Sequence, residues 1–455
     1  MESLDNWIDG QYRHSATAML QSVSSDIVKT RPGFGQVIRA KKGSIVASPV
    51  CASYDPEPDY FFHWYRDSAI VVDAMRVLLE DSRSGIDTAG IGAAGIDTMD
   101  RFADFVRFSA SLQELDGRAL NADRAWRGRV ADDFKQYLRS EAELSVIRGA
   151  ATSAETRVNP DASLDISRWP RPQYDGPAMR AVTLLRWLRT RWLDAALQAN
   201  VEALLYSDLE VIRAHSRESG FDIWEEERGV HYYTLRVSAA ALWAGAAWFN
   251  DHGRPAEAHA WATEADDILR QLEGYWNPEQ RYFRSRVLDS GMPSGKELDI
   301  SVILAAVHVG ADGGTGGHTD THSAHDPRMR ATAARLEALF DAAYPINQAR
   351  PAERGPAMGR YAGDVYFSGG AYYFSTLGVA EFYFQAALRA PDPRPDIERG
   401  DRFLRTVRAY TPPGGDLAEQ FDQRTGVPRS ARHLAWSYAA FISCIAARRR
   451  ALDLR

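Results

Sequence analysis

Apolar residues recur at helical spacing through almost the whole chain, in runs separated by loops rich in glycine, proline and aromatic residues. This alternation predicts helix after helix with little strand. A first amphipathic helix is predicted over residues 4–28, followed by the breaker Arg31-Pro-Gly-Phe-Gly35 and an extended piece over 44–49. Further helices fall at 68–80, 100–115, 178–190, 194–216, 234–249 and 255–272, then in a short apolar run ending near 309, at 326–343, 374–389 and 394–410, and after Trp436. Residues 82–98, 116–168 and 310–325 lack long periodic runs and read as an insert, a polar stretch with one short helix near 131–139, and a Gly/His-rich linker. The even-numbered helices of this series are apolar on nearly every side, which requires burial, while the odd-numbered ones are amphipathic. Six buried helices alternating with six amphipathic ones predict an all-α fold, an (α/α)6 barrel of six helical hairpins with an inner ring wrapped by an outer ring.

Composition narrows the partners. The 455 residues are 45% apolar and 25% charged, as in a globular protein, and the net charge of -7 disfavours nucleic acid or an anionic membrane as partner. The first residues show neither a basic start nor the apolar core of a secretory signal, and no run is long enough to span a membrane, so a cytoplasmic location is expected. Two cysteines, Cys51 and Cys444, are too few for a disulfide framework or a cysteine zinc site and read as small buried residues. His318, His322 and His325 could ligate a metal, but a glycine-rich linker offers no rigid scaffold, so no metal and no cofactor are expected. His63 and His433 lie near aromatic loops and are expected at a polar rim.

The chemistry concentrates in loops that precede the even-numbered helices. In Gly220-Phe-Asp-Ile-Trp-Glu-Glu-Glu-Arg-Gly-Val-His-Tyr-Tyr-Thr234, carboxylates sit between aromatic residues. A carboxyl set against Trp224 and Tyr232 or Tyr233 is partly desolvated and holds a proton near neutral pH, as a general acid must. An acidic first turn that complements the helix dipole would give the same string; Asp222 fits a role in capping or orienting the loop. If the inner helices run parallel, the segments 60–67, 169–175, 224–226, 296–299 and 360–364 and the residue Glu419 meet at one end of the barrel, where the inner helices begin. That shared placement favours an active site over a set of helix caps.

Six ordered motifs carry a resemblance: Pro58-Asp-Tyr-Phe-Phe-His-Trp-Tyr-Arg-Asp67, Arg171-Pro-Gln-Tyr-Asp-Gly-Pro177, Phe221-Asp-Ile-Trp-Glu-Glu226, Gly359-Arg-Tyr361, Glu419-Gln-Phe-Asp422 and Leu434-Ala-Trp-Ser-Tyr438. Over nearly all of the chain after Gly43 the sequence resembles the glucoamylase family, glycoside hydrolase family 15. The resemblance implies an (α/α)6 barrel that hydrolyses terminal α-glucosidic bonds with inversion. Glu225 matches the general acid and Glu419 the general base. Arg66 and Asp67 match the pair gripping the terminal glucose, with Arg360 a second arginine there, and Tyr60, Trp64, Trp169, Asp175, Trp224, Glu226 and Trp436 match residues lining the −1 and +1 subsites.

The expectation is therefore one glucoamylase-like catalytic domain over 1–455, without a starch-binding module or an N-terminal β-sandwich. Its partner would be an α-linked gluco-oligosaccharide, from whose non-reducing end an exo-acting hydrolase releases β-glucose. Gly370-Ala-Tyr372 and Phe421 depart from the fungal pattern of Asn-Pro-Trp and Tyr, which leaves room for an isomaltose- or dextran-type α-1,6-glucosidase or a trehalase. A non-catalytic sugar-binding or regulatory domain is the reading from another class; retention of Glu225 and Glu419 opposes it. Tyr372, a smaller ring on a glycine-rich loop, is expected at the +1 subsite and would favour short substrates.

Overall fold

A computed structural model describes residues 3–53, 56–85, 94–310 and 321–454, without the side chains of 94–96. Its twelve long helices are α1 (Leu4–Leu20), α2 (Tyr65–Arg83), α3 (Ala94–Ser111), α4 (Asp175–Arg189), α5 (Ala195–His215), α6 (Tyr232–Asp251), α7 (Pro255–Glu273), α8 (Ser301–Val309), α9 (Pro327–Ala343), α10 (Tyr373–Ala387), α11 (Arg394–Tyr410) and α12 (Ala435–Leu452). The even-numbered helices pack each on the next, from α2 through α4, α6, α8 and α10 to α12, and α12 packs back on α2, which closes the inner ring. Every described side chain of α10 is buried, whereas α11 buries one face only. This is the all-round against one-sided contrast that the sequence carries. One continuous apolar cluster runs through the barrel and its outer shell. Close approach in the ring is bought with small residues: a Cβ on Gly378 of α10 would lie 2.5 Å from the Leu304 side chain of α8.

The two ends of the barrel differ. None of the six inner helices is capped by the side chain of its N-cap residue, while Ser3, Asp194 and Asp326 cap the outer helices α1, α5 and α9. The first N–H of α2, α6, α10 and α12 donates instead to a backbone carbonyl of another segment and that of α8 to Asp299, and the positive ends of the inner-helix dipoles gather at one end of the ring. Short antiparallel ribbons lead into these helices. His63–Trp64 pairs with Arg157–Val158 ahead of α2, Gly220–Phe221 pairs with Arg228–His231 ahead of α6, and Ala371–Tyr372 pairs with Gln420–Phe421 ahead of α10.

Several expectations need correction. The first helix stops at Leu20, and Val28–Arg31 is a strand paired with Gln36–Arg39 across the Pro32–Phe34 turn. The third helix starts at Ala94, before the expected 100. Between 116 and 168 the chain forms short helical turns, Gly117–Ala122, Ala125–Gly128, Asp132–Tyr137 and Glu141–Ser145, around a small second apolar cluster. Cys51 is exposed, because its segment runs over the surface toward the aromatic loop; Cys444 is buried in α12. His63 is not at a rim: it is 1% exposed, packs 4.9 Å from Phe108, and accepts from the Ile45 N–H. Burial pushes it down to about 3, so the ring is neutral. His433 lies beside Tyr438, outside the walls of the cavity described below. Of the histidine cluster, His318 lies outside the described residues, and His322 is buried against the Tyr232 hydroxyl. Among the described residues no helix is long and apolar enough to cross a membrane.

Candidate active site

At the end where the inner helices begin lies a cavity of about 300 Å³ walled by Tyr60, Trp64, Arg66, Asp67, Trp169, Trp224, Glu225, Glu226, Arg360, Glu419 and Trp436. These are the residues expected from sequence except Asp175, which stands one layer back and holds the wall in place. Arg66 Nη1 donates to Asp175 Oδ2 at 2.9 Å, and Nη2 donates to Asp67 Oδ2 at 3.1 Å. Phe374, stacked on Trp436 with ring centres 4.2 Å apart, lies between this cavity and a gap of about 40 Å³ deeper along the barrel axis.

Glu225 sits on a tight turn. The Phe221–Arg228 pair closes it, Glu225 N–H donates to Asp222 O at 2.9 Å, and Asp222 N–H donates to Glu227 O at 3.2 Å. The turn forces Glu225 to φ +64°, a left-handed conformation costing a non-glycine residue about 1–2 kcal/mol. Asp222 stabilises the strained turn, accepting from Glu226 N–H at 2.8 Å while Arg286 Nη1 donates to its other oxygen at 2.6 Å. This is the loop-orienting role expected for it. Two indoles hold the Glu225 carboxyl: Trp64 Nε1 donates to Oε1 at 2.7 Å and Trp169 Nε1 donates to Oε2. Trp224, Tyr232 and Tyr233, the partners expected from sequence proximity, are not these donors. The Trp224 N–H donates to Asp299 at 2.9 Å, Tyr232 pairs with His322, and Tyr233 pairs with His308.

Glu419 comes from the loop before α12. Its Oε2 accepts from Ser430 Oγ, and its Oε1 accepts from the Tyr60 hydroxyl at 3.2 Å, which lies 2.8 Å from the Tyr366 hydroxyl. Glu226 is a third kind of carboxylate, gripped by Arg360 Nη2 at 2.9 Å, Lys296 Nζ at 2.7 Å and the Tyr361 hydroxyl. Arg360 in turn forks onto both oxygens of Asp364, each at 2.6 Å.

The three environments separate the carboxyls electrically. Burial raises Glu225 against the pull of Arg66, Arg157 and the two indoles. Burial pushes Glu419 up to about 7, opposed by Ser430, Arg360 and Tyr60. Burial also acts on Glu226, but Arg360, Lys296 and Tyr361 outweigh it and hold that carboxylate below its ordinary range. Of the four carboxyls on the walls, burial thus raises Glu225 and Glu419 and, against the pull of Arg66, Asp67, while Glu226 is a fixed anion. Arg66 Nε and Trp436 Nε1 are buried and have no hydrogen-bond partner among the described residues.

Sequence reasoning missed Ser430, Arg286, Arg157, Tyr366 and Phe374. Tyr366 follows the segment 360–364 and Phe374 opens the helix predicted at 374–389; the other three lie outside the motifs. Tyr372 corrects a further expectation. It is 1% exposed and is not among the walls, because Gln420 Nε2 donates to its hydroxyl at 2.8 Å and Asp364 Oδ2 accepts from it at 3.3 Å, behind Trp224.

A carboxyl-lined cavity at the inner-helix mouth of a closed helical barrel is the build of a glycoside hydrolase. The chain belongs to the glycosyl hydrolases family 15, whose family model matches residues 152–394 and 390–446. It is similar to Glucoamylase 1 of Rhizopus oryzae, 26% identical over 97% of this chain and 70% of the relative. It is similar also to a glucoamylase of Neurospora crassa, 28% identical over 90% of this chain and 64% of the relative. The chain thus spans about two thirds of the length of these relatives. The glucoamylase structure from Saccharomycopsis fibuligera superposes with a TM-score of 0.75 at 19% identity, covering 100% of this chain and 97% of that one, which establishes the shared fold.

Proposed function

We propose that this protein is an exo-acting, inverting α-glucoside hydrolase that releases β-glucose from the non-reducing ends of soluble α-glucans or malto-oligosaccharides. The observation that carries the reading is the pairing, in one cavity of about 300 Å³, of two buried carboxyls on separate loops, Glu225 and Glu419, both raised by burial. A pocket closed in depth admits a chain end rather than the middle of a chain. The α-1,4 linkage rests on the glucoamylase names of the relatives, and the site accounts for the rest by ordinary chemistry.

In this reading Arg66 and Asp67 grip the hydroxyls of the terminal glucose, and the unpartnered Arg66 Nε and Trp436 Nε1 gain acceptors when sugar enters. Glu225 gives its proton to the glycosidic oxygen as the C1–O bond breaks. A water attacks C1 from the opposite face, its oxygen bonds to C1, and its proton passes to Glu419. Exchange with solvent restores both groups. Inversion requires room for that water between the carboxyls. Arg360, held by Asp364 and Glu226, is the second arginine at the terminal glucose, and Trp169 and Glu226 line the −1 and +1 subsites.

The test is direct. Glu225→Gln and Glu419→Gln should each lower kcat by about 10²–10⁴-fold with the fold intact, and NMR of the first minutes of maltose hydrolysis should show β-glucose. Turnover like wild type in either folded variant, or α-glucose as first product, rejects the assignment.

A further inference from the structure

Behind the two indoles that hold Glu225 lies a guanidinium that the reaction does not touch. Arg157 is 1% exposed and stands opposite Trp64 in the short ribbon ahead of α2. Its guanidinium carbon lies 3.5 Å from the ring centre of Trp169, 3.9 Å from that of Phe62 and 4.9 Å from that of Trp64. One cation therefore lies over both indoles whose N–H groups bind the two oxygens of Glu225. A positive charge on an indole face is attracted to the ring, fixes its orientation and strengthens its N–H as a donor.

The charge balance of the surrounding network makes this more than packing. Arg139 forks onto Glu155 at 2.8 and 3.1 Å, and Arg171 bridges Glu155 at 2.7 Å and Asp165 at 3.1 Å. Arg157 Nε donates to Asp165 at 2.9 Å. Three buried cations face two carboxylates, so the network carries one surplus positive charge. The other groups facing Glu225 are already committed or share its sign. Arg66 Nη2, 3.9 Å away, is held by Asp67 and Asp175; Arg360 is held by Asp364 and Glu226; Glu419 and Glu226 are carboxyls of the same cavity.

We infer that Arg157 is a positioning residue that orients Glu225 and tunes the strength with which it holds its proton, acting through the Trp64 and Trp169 indoles. The inference rests on the general-acid role proposed for Glu225. Asp165 holds the Arg157 guanidinium in place, and the indoles stand between it and the cavity. The surplus charge favours ionised Glu225 and works against the burial that raises it, so the acid stays strong enough to part with its proton.

The network supplies two changes of opposite sign. Arg157→Gln removes a cation and should move the alkaline limb of kcat/KM against pH on maltose upward by about one pH unit. Asp165→Asn removes an anion, keeps an oxygen to accept from Arg157, and should move the same limb downward. Opposite displacements in folded protein support the inference, and a limb unmoved or moved the same way by both overturns it. If Arg157→Gln does not fold, the downward shift in Asp165→Asn decides alone. A fully active Glu225→Gln enzyme would instead remove the underlying acid assignment, whereas an inactive one beside an unmoved limb removes only the role of Arg157.

Discussion

Replacing Glu419 by glutamine should stabilise the protein, and by an amount that depends on pH. Burial raises the Glu419 carboxyl from an ordinary value of 4.5 to about 7 in the folded chain. The folded state then holds its proton more tightly than the unfolded state does. Below about pH 4.5 both states are protonated and the difference vanishes. Between 4.5 and about 7 the unfolded carboxyl ionises first, stability falls as pH rises, and above about 7 the full loss is present. At about 1.4 kcal/mol per tenfold change in proton affinity, the loss amounts to about 3 kcal/mol. Glutamine cannot ionise, yet it keeps an oxygen to accept from Ser430 and Tyr60. Equilibrium urea denaturation of wild type and Glu419→Gln at pH 4.5 and pH 8 measures the effect as a difference of differences, in which contributions that do not vary with pH cancel. So does the titration of Glu381, also raised to about 7 by burial, in both proteins. The variant should gain about 3 kcal/mol on wild type between the two pH values. Parallel stability curves would refute the reasoning, because they would mean that Glu419 is not buried at a cost.

The same two carboxyls set the pH dependence of activity. As general base Glu419 must be ionised, so kcat/KM should fall below about pH 7 as that carboxyl takes up its proton, while loss of the Glu225 proton sets the alkaline limb; a plateau extending down to pH 5 would contradict this. Gly359→Ala should cost about 1–3 kcal/mol and disturb Arg360, since a Cβ there would lie 1.8 Å from the Tyr344 hydroxyl, which is held on Gly370 O; a variant with wild-type urea midpoint and KM would show that the contact relaxes freely. EDTA should leave activity unchanged, because each proposed role falls to a carboxyl, an arginine or an aromatic ring and the described residues contain no cluster of three or more metal-binding side chains; loss of activity restored by a divalent ion would overturn that.

How much of this was legible in the sequence follows from where each residue stands relative to an inner helix. Apolar runs without a polar face mark α2, α4, α6, α8, α10 and α12, because a helix that touches neighbours on every side can carry no solvent face. The loops entering those helices are equally visible. Their aromatic and charged residues have no reason to cluster in sequence unless the inner-helix ends gather them, and Tyr60, Arg66, Glu225, Arg360 and Trp436 all lie within a few residues of such an end or on the loop entering it. Linear proximity fails where the chain turns back. Glu225 stands next to Trp224, but the left-handed turn at Glu225 aims its carboxyl at Trp64 and Trp169, which arrive from other loops. Tyr372 precedes α10 directly and reads as a wall residue, yet Gln420 and Asp364 draw its hydroxyl behind the wall. The expectation of short substrates loses its basis with that displacement. Arg157, Arg286 and Ser430 are out of reach of any periodicity or motif, since each acts on a residue from a distant part of the chain or across a turn and looks, in its own neighbourhood, like a polar residue of a loop. What the sequence records is most of the side chains that line the cavity; Arg157 and Ser430, which act on the two carboxyls from behind those walls, are brought there only by the closed ring.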